Sequence, residues 1–277
     1  MKYDKMDTAV LVTVSFHFMR ASGDTRMLRY EIMKIHLFQQ CLIDMFYPEV
    51  GMDGVEVLER LGCELVVPKD QVCCGQMFTN SGYDKAAIGA IKNTIENFEN
   101  AEYVVSMSGS CAFAIKDEYK EVLKDYPELQ KRAEALSPKI YEFTQFIVDV
   151  LGVTDVGARF NGKVTYHKSC HVTRLLGVRE QPLKLLQGVK GLEYVEMEQA
   201  DRCCGFGGTF SIKQPEISDA MTREKAMTIY NTGADYVVGS DQACLMNIAG
   251  MLDRLYETGE IDRHIKALHI AQVLNSR

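Results

Sequence analysis

Eight of the nine cysteines in this chain fall into one pattern that is written twice. In the first copy, 31 residues separate Cys41 from the run Cys73-Cys74-Gly75, and 35 more lead to Cys111. In the second, 32 residues separate Cys170 from Cys203-Cys204-Gly205, and 38 lead to Cys244. Only Cys63 stands outside. A duplication of this length requires two copies of one domain, not a solenoid of short units. It also gives each copy its own set of four soft ligands.

The copies align beyond their cysteines. Met33–Cys41 lies over Gly162–Cys170 at an offset of 129 residues, and Ala101–Val105 over Ala234–Val238 at 133, the offset that also relates Cys111 to Cys244. Tyr141–Gln145 matches Leu268–Gln272. The same alignment sets Cys63 opposite Leu192, which makes it a core residue, and His269 opposite Glu142, which makes that histidine structural. Residues 1–32 have no counterpart. They read as an N-terminal extension, either an upstream start assigned too early, a tail or an added edge strand. The two repeats then span 33–155 and 156–277.

β-rich runs occur at Ile35–Phe38, Leu65–Val67, Tyr103–Ser106, Val164–His167, Tyr194–Met197 and Tyr236–Gly239. Helix-like segments lie between them at Gly54–Leu61, Asp84–Glu99, Tyr141–Leu151, Ser218–Tyr230 and Leu245–Tyr256. Alternation of this kind predicts an α/β fold of two pseudosymmetric repeats, each a small, mainly parallel sheet with helices on both faces. Every cysteine cluster falls at or just past the carboxyl end of a strand, where open α/β sheets bind ligands. The net charge of −7 gives no reason to expect nucleic acid as a partner. The longest apolar run, Ala9–Phe16, is too short to span a bilayer, and mixed charges precede it. A cytoplasmic chain is expected, in which cysteines serve metal or redox chemistry more often than structural disulfides.

Thiolates select zinc, copper(I) and iron–sulfur clusters. Zinc sites usually present cysteines two to four residues apart. Adjacent cysteines point in opposite directions from extended backbone and converge only at a sharp turn, which a following glycine permits. Two converging neighbours suit a multi-iron cluster, held typically by four thiolates. One iron–sulfur cluster per repeat is therefore expected, on Cys41, Cys73, Cys74 and Cys111 and on Cys170, Cys203, Cys204 and Cys244; 4Fe-4S is the type expected, though the pattern alone does not select it. Zinc in one repeat stays open, as does a dithiol–disulfide site.

His167 and His171 flank Cys170, and Arg174 follows one helical turn later. One reading gives a histidine the role of proton acceptor and Arg174 that of carboxylate clamp. Another makes a histidine a cluster ligand, and a third has these groups hydrogen-bond cluster sulfur or backbone. The chain shows no G-x-G-x-x-G after a strand. Gly205-Phe206-Gly207-Gly208 has a different spacing and reads as part of the cluster loop. The 14 methionines read as core filling.

Several longer motifs accompany the cysteines. They are Cys41-Leu42-Ile43-Asp44 with Phe46-Tyr47-Pro48, Cys73-Cys74-Gly75-Gln76 with Asn80-Ser81-Gly82, and Ser108-Gly109-Ser110-Cys111. The second half has His167-Lys168-Ser169-Cys170-His171, Cys203-Cys204-Gly205-Phe206-Gly207-Gly208-Thr209-Phe210, Asp241-Gln242-Ala243-Cys244-Leu245-Met246 and Leu268-His269-Ile270-Ala271. From Met33 to the C-terminus the chain resembles the CCG-domain (cysteine-rich, iron–sulfur) family. Its branches include the cysteine-rich subunit of heterodisulfide reductase, the glycolate oxidase iron–sulfur subunit and lactate utilization protein A, and the motifs are most similar to the last.

That resemblance implies an iron–sulfur subunit of an oxidoreductase, inactive alone. It would act beside two other subunits of a lactate-utilization complex that oxidises L-lactate, a small 2-hydroxy acid, to pyruvate. Hydride removal normally needs a nicotinamide or flavin, so electron relay is the expected role. Glycolate, another 2-hydroxy acid or a disulfide is the alternative substrate, and a zinc-binding assembly scaffold is an alternative of a different class. Ser108 and Asp241 stand where the heterodisulfide reductase branch has a fifth cysteine in each half, which weakens any transfer of that branch's unusual clusters and chemistry.

Overall fold

A computed structural model of the chain describes residues 33–277; the expected N-terminal extension, 1–32, lies outside them. Among the described residues, eight strands form two sheets of four. These are β1 (Met33–Phe38), β2 (Cys63–Val66), β3 (Val104–Ser106) and β4 (Ile140–Glu142), then β5 (Arg159–Tyr166), β6 (Lys190–Tyr194), β7 (Tyr236–Gly239) and β8 (Lys266–His269). The strand orders are β2-β1-β3-β4 and β6-β5-β7-β8, and every pairing is parallel. The registers reproduce the sequence repeat: Met33 pairs with Cys63 as Gly162 pairs with Leu192, and Ser106 with Glu142 as Gly239 with His269.

Side-chain alternation along the strands builds three apolar layers. Ile35, Leu37 and Val105 of one sheet, and Val164, Tyr166 and Val238 of the other, face a shared core. Phe38, Val104 and Ile140 face outward onto Asp84–Phe98, whose buried residues Ala87, Ile91, Ile95 and Phe98 recur at helical spacing. Val237 faces Pro215–Asn231 and Gln242–Glu257 on the other side. Each fully buried large apolar side chain contributes about 1.5–3 kcal/mol.

Within the shared core the repeats exchange helices. Ile270–Asn275, from the end of the second half, packs on Pro48–Arg60 of the first, and Arg60 Nη1 donates to Asn275 Oδ1 at 2.9 Å. The counterpart turns at 143–150 pack on Gln181–Gln187, where Gln181 Nε2 donates to Asp149 Oδ2 at 2.8 Å. Residues 33–277 therefore behave as one compact unit.

The helix expected from Tyr141 starts two residues later. Ile140–Glu142 pairs with β3, and the Glu142 carboxylate then caps the next turn by accepting from the backbone N–H groups of Thr144 and Gln145. His269 does the same in the second half, accepting from the Ala271 N–H. The strand expected at Tyr194–Met197 lies earlier, at Lys190–Tyr194, because β6 must match Gly162–Val164 after the irregularity between Arg159 and Gly162. Cys63 is buried in the shared core, as expected.

Candidate metal centres

Each sheet delivers its four cysteines from three consecutive connections past the carboxyl ends of its strands. In the first half Cys41 opens the helix after β1, Cys73 and Cys74 lie in the loop after β2, and Cys111 sits in the short helix after β3. The Cys41 and Cys73 sulfurs are 3.7 Å apart, and those of Cys74 and Cys111 are 3.5 Å apart. Gly75 turns the chain at φ +88°, a left-handed conformation that lets both neighbouring thiols point inward. The Tyr119 hydroxyl donates to the Cys74 carbonyl at 2.7 Å and fixes the turn.

The second half repeats the plan with Cys170 after β5, Cys203 and Cys204 after β6, and Cys244 in the helix after β7. Gly205 has φ +82°, and a Cβ there would sit 2.8 Å from the Ser218 carbonyl oxygen. Its N–H donates to the Cys203 sulfur at 3.4 Å. Asn247 Nδ2 and Thr222 Oγ1 both donate to the Cys204 carbonyl, the task Tyr119 performs in the first half.

Proton sharing within each set favours the thiolate at Cys73 in the first half and at Cys203 in the second. The S–H bond from Cys41, with the neighbouring Cys74, holds the Cys73 thiol well below its ordinary range and pushes Cys41 up in exchange, while Cys74 is pushed up first by its own bond to Cys111. Cys170 and Cys204 do the same for Cys203. The thiolate is the form that ligates metal.

Four thiolates on one zinc ion stand about 3.8 Å apart in every pair. Among the described residues, the only three metal-ligating groups whose atoms all lie within 4.8 Å of one another are His167, Cys204 and Cys244. No three first-half sulfurs draw that close. Pairwise contacts strung along four sulfurs, at the end of a sheet and without a compact tetrahedron, fit a group with several metal atoms.

The surroundings differ between the halves. His167 is 1% exposed, and neither ring nitrogen has a hydrogen-bond partner. His171 Nδ1 lies 3.6 Å from the Cys170 sulfur, and its ring centroid is 5.6 Å from that of Phe113 in the first half. Arg174 turns outward, donating at 2.9 Å to the carbonyl and the carboxylate of Asp201 in an exposed pair.

Sequence reasoning missed Lys225. It is completely buried, and its ammonium donates to the Gln199 and Ala200 carbonyls at 3.1 Å each. Burial pushes its pKa down to about 8, opposed chiefly by the Cys204 sulfur. The available signal was its position in line with Ser218, Thr222, Ala226 and Ile229 on the inward stripe of its helix.

Ser108 and Asp241 meet where the halves join. The Ser108 hydroxyl and the Ser110 N–H donate to Asp241 Oδ2 at 3.2 and 2.9 Å. Gly109 between them approaches Val172 so closely that a Cβ would lie 2.0 Å from Cγ2. The positions that differ from the five-cysteine branch thus tie one repeat to the other.

A family model described as CCG, cysteine-rich domain, matches twice, over residues 35–116 and 164–249. Lactate utilization protein A 2 of Bacillus mycoides is 55% identical over 245 residues, covering 88% of this chain and all of that protein. Lactate utilization protein A of Bacillus pumilus is 54% identical over the same length and shares. A hypothetical protein from Helicobacter pylori has a similar fold in its crystal structure, with a TM-score of 0.54 at 11% identity over 87% of this chain and 48% of that one. No helix among the described residues is long and apolar enough to cross a membrane.

Proposed function

Because the chain belongs to the CCG cysteine-rich domain family, we propose that it is the iron–sulfur electron-relay subunit of a complex that oxidises L-lactate to pyruvate. The observation that carries this reading is the convergence of four cysteines at the end of each sheet. Cys41, Cys73, Cys74 and Cys111 would hold one cluster and Cys170, Cys203, Cys204 and Cys244 the other, with 33–155 and 156–277 as the two repeat units. A bound iron–sulfur cluster supplies one-electron uptake and release.

The chain's own residues do the rest. Gly75 and Gly205 turn adjacent thiols inward, Tyr119 and Asn247 anchor the carbonyls behind them, and Cys73 and Cys203 carry negative charge toward the metal. Oxidising lactate removes two electrons and two protons. The hydride acceptor belongs to one of the two partner subunits, since this chain carries no dinucleotide fingerprint. His171 against Cys170 tunes the second site, and Arg174 with Asp201 forms its outer rim.

The 55% identity to a lactate utilization protein favours lactate over glycolate. Deletion of the gene, in cells without a redundant lactate oxidase, should abolish growth on L-lactate and spare growth on glycolate. Normal growth on L-lactate would refute the substrate. Anaerobic purification should give iron and labile sulfide in similar amounts with broad visible absorption; zinc without sulfide would make the chain a scaffold. The compact triad of His167, Cys204 and Cys244 favours one further reading, a single zinc ion in the second half alone. The same analysis tests it.

A further inference from the structure

Phe38 and His167 are the same position in the two repeats, 129 residues apart at the end of the first strand of each half. Phe38 is fully buried in an apolar cluster that contains Cys74 and Cys111. His167 is buried as deeply, with one ring nitrogen within 4.8 Å of the sulfurs of Cys204 and Cys244, the counterparts of those cysteines. The second repeat therefore sets a nitrogen donor where the first sets an aromatic carbon.

This exchange has a cost. A buried polar group with no partner is destabilising, and neither nitrogen of His167 has one within hydrogen-bond distance. A phenylalanine would carry no such penalty, and the first repeat shows that one fits beside the same cysteines. A nitrogen that faces cysteine sulfurs and is excluded from water, with only the Ala200 carbonyl nearby and that oxygen already accepting from the Lys168 N–H and Lys225, has the surroundings of a metal ligand.

We infer that His167 is a nitrogen ligand to the metal group of the second repeat, joining Cys204 and Cys244. The two sites are then chemically unequal, all-sulfur in the first half and mixed nitrogen–sulfur in the second. An imidazole that takes the place of one of the four thiolates makes the group less negative, and the second site then has the higher reduction potential. Lys225, a buried cation beside Cys203 and Cys204, acts in the same direction. Thr94 occupies the matching helical position in the first half. The repeat thus builds a downhill step for electrons from the first site to the second.

The inference rests on the cluster-binding reading above, and its test separates the two. The reduced wild-type protein, prepared anaerobically with ordinary or heavy-nitrogen histidine, is examined by pulsed electron paramagnetic resonance. The expected result is a histidine nitrogen coupling that changes with the isotope, persists in His171→Phe and is lost in His167→Phe, the residue the first repeat tolerates. A potentiometric titration should resolve two waves, with only the upper one displaced in His167→Phe. An iron–sulfur signal with no isotope-sensitive coupling overturns the inference while leaving the cluster reading intact, and so does a coupling that vanishes in His171→Phe. The wild-type isotope comparison decides even if His167→Phe does not fold. Protein without iron defeats the cluster reading instead.

Discussion

Substituting Gly109 by alanine tests the junction that holds the two cysteine sets in one molecule. The added Cβ would lie 2.0 Å from Val172 Cγ2, 3.2 Å from its Cβ and 3.5 Å from its Cα. Ordinary contact begins at about 3.5 Å, so one side must retreat by roughly 1.5 Å. Rotating Val172 offers little relief, because a β-branched side chain in a helical turn has one favoured rotamer and its Cβ is already tight. Moving the Gly109 backbone breaks bonds on either side, from the Gly109 N–H to the Ser240 carbonyl and from Ser108 and Ser110 to Asp241. Overpacking of this kind costs about 1–3 kcal/mol. In a chain of this size each kcal/mol moves Tm by about 2–4 °C.

The assay is anaerobic urea unfolding of the wild type, Gly109→Ala, Val172→Ala and the double variant. Val172→Ala alone leaves a cavity and destabilises. The double variant should nevertheless be more stable than the sum of the single effects by about 1 kcal/mol or more, because each change accommodates the other. An unchanged midpoint for Gly109→Ala, or strict additivity, would refute the close approach and with it this explanation of how the repeats join.

Three further outcomes follow from buried titratable groups. Burial raises the Glu142 carboxyl to about 7, so the fold favours its protonated form. That contribution is complete below about pH 4.5 and is lost as pH rises through 7, to an extent of about 3 kcal/mol. Glu142→Gln keeps a capping oxygen and should remove this alkaline loss from the pH dependence of the urea midpoint; a profile parallel to wild type would contradict it. His269, lowered to about 4 by burial, titrates on the other side, and its contribution is lost as pH falls from 6.5 through 4. Lys225→Met should lower the reduction potential of the second site and leave the first unchanged, as a potentiometric titration would report. Equal shifts at both sites would show that the lysine acts on the fold as a whole.

The sequence made the repeat legible because parallel strands at fixed offsets demand equivalent residues at equivalent heights. Cys63 and Leu192 occupy matching register positions, and Tyr236–Gly239 is a strand over the residues expected. The cysteines were legible for the same reason, each set lying on loops at one sheet edge. What failed was local. Ile140–Glu142 is too short to show a strand period against the helix that follows it, and Tyr194–Met197 resembles a strand more than Lys190–Tyr194 until β5 fixes the pairing. The bond between Ser108 and Asp241 joins residues 133 positions apart, which no motif encodes. Lys225 was read past because a lysine on a helix ordinarily marks the solvent face; here backbone carbonyls replace water around its ammonium.

Two separate iron–sulfur clusters, one on each cysteine set, underlie every functional step proposed for this chain. Electron paramagnetic resonance with iron and sulfide analysis, on anaerobic wild type, Cys74→Ala and Cys204→Ala, puts that pairing to the proof. Two clusters are expected in the wild type, with loss of the first-half signal alone in Cys74→Ala and of the second-half signal alone in Cys204→Ala. Loss of all iron from either variant would mean one shared site and would contradict the two-cluster arrangement.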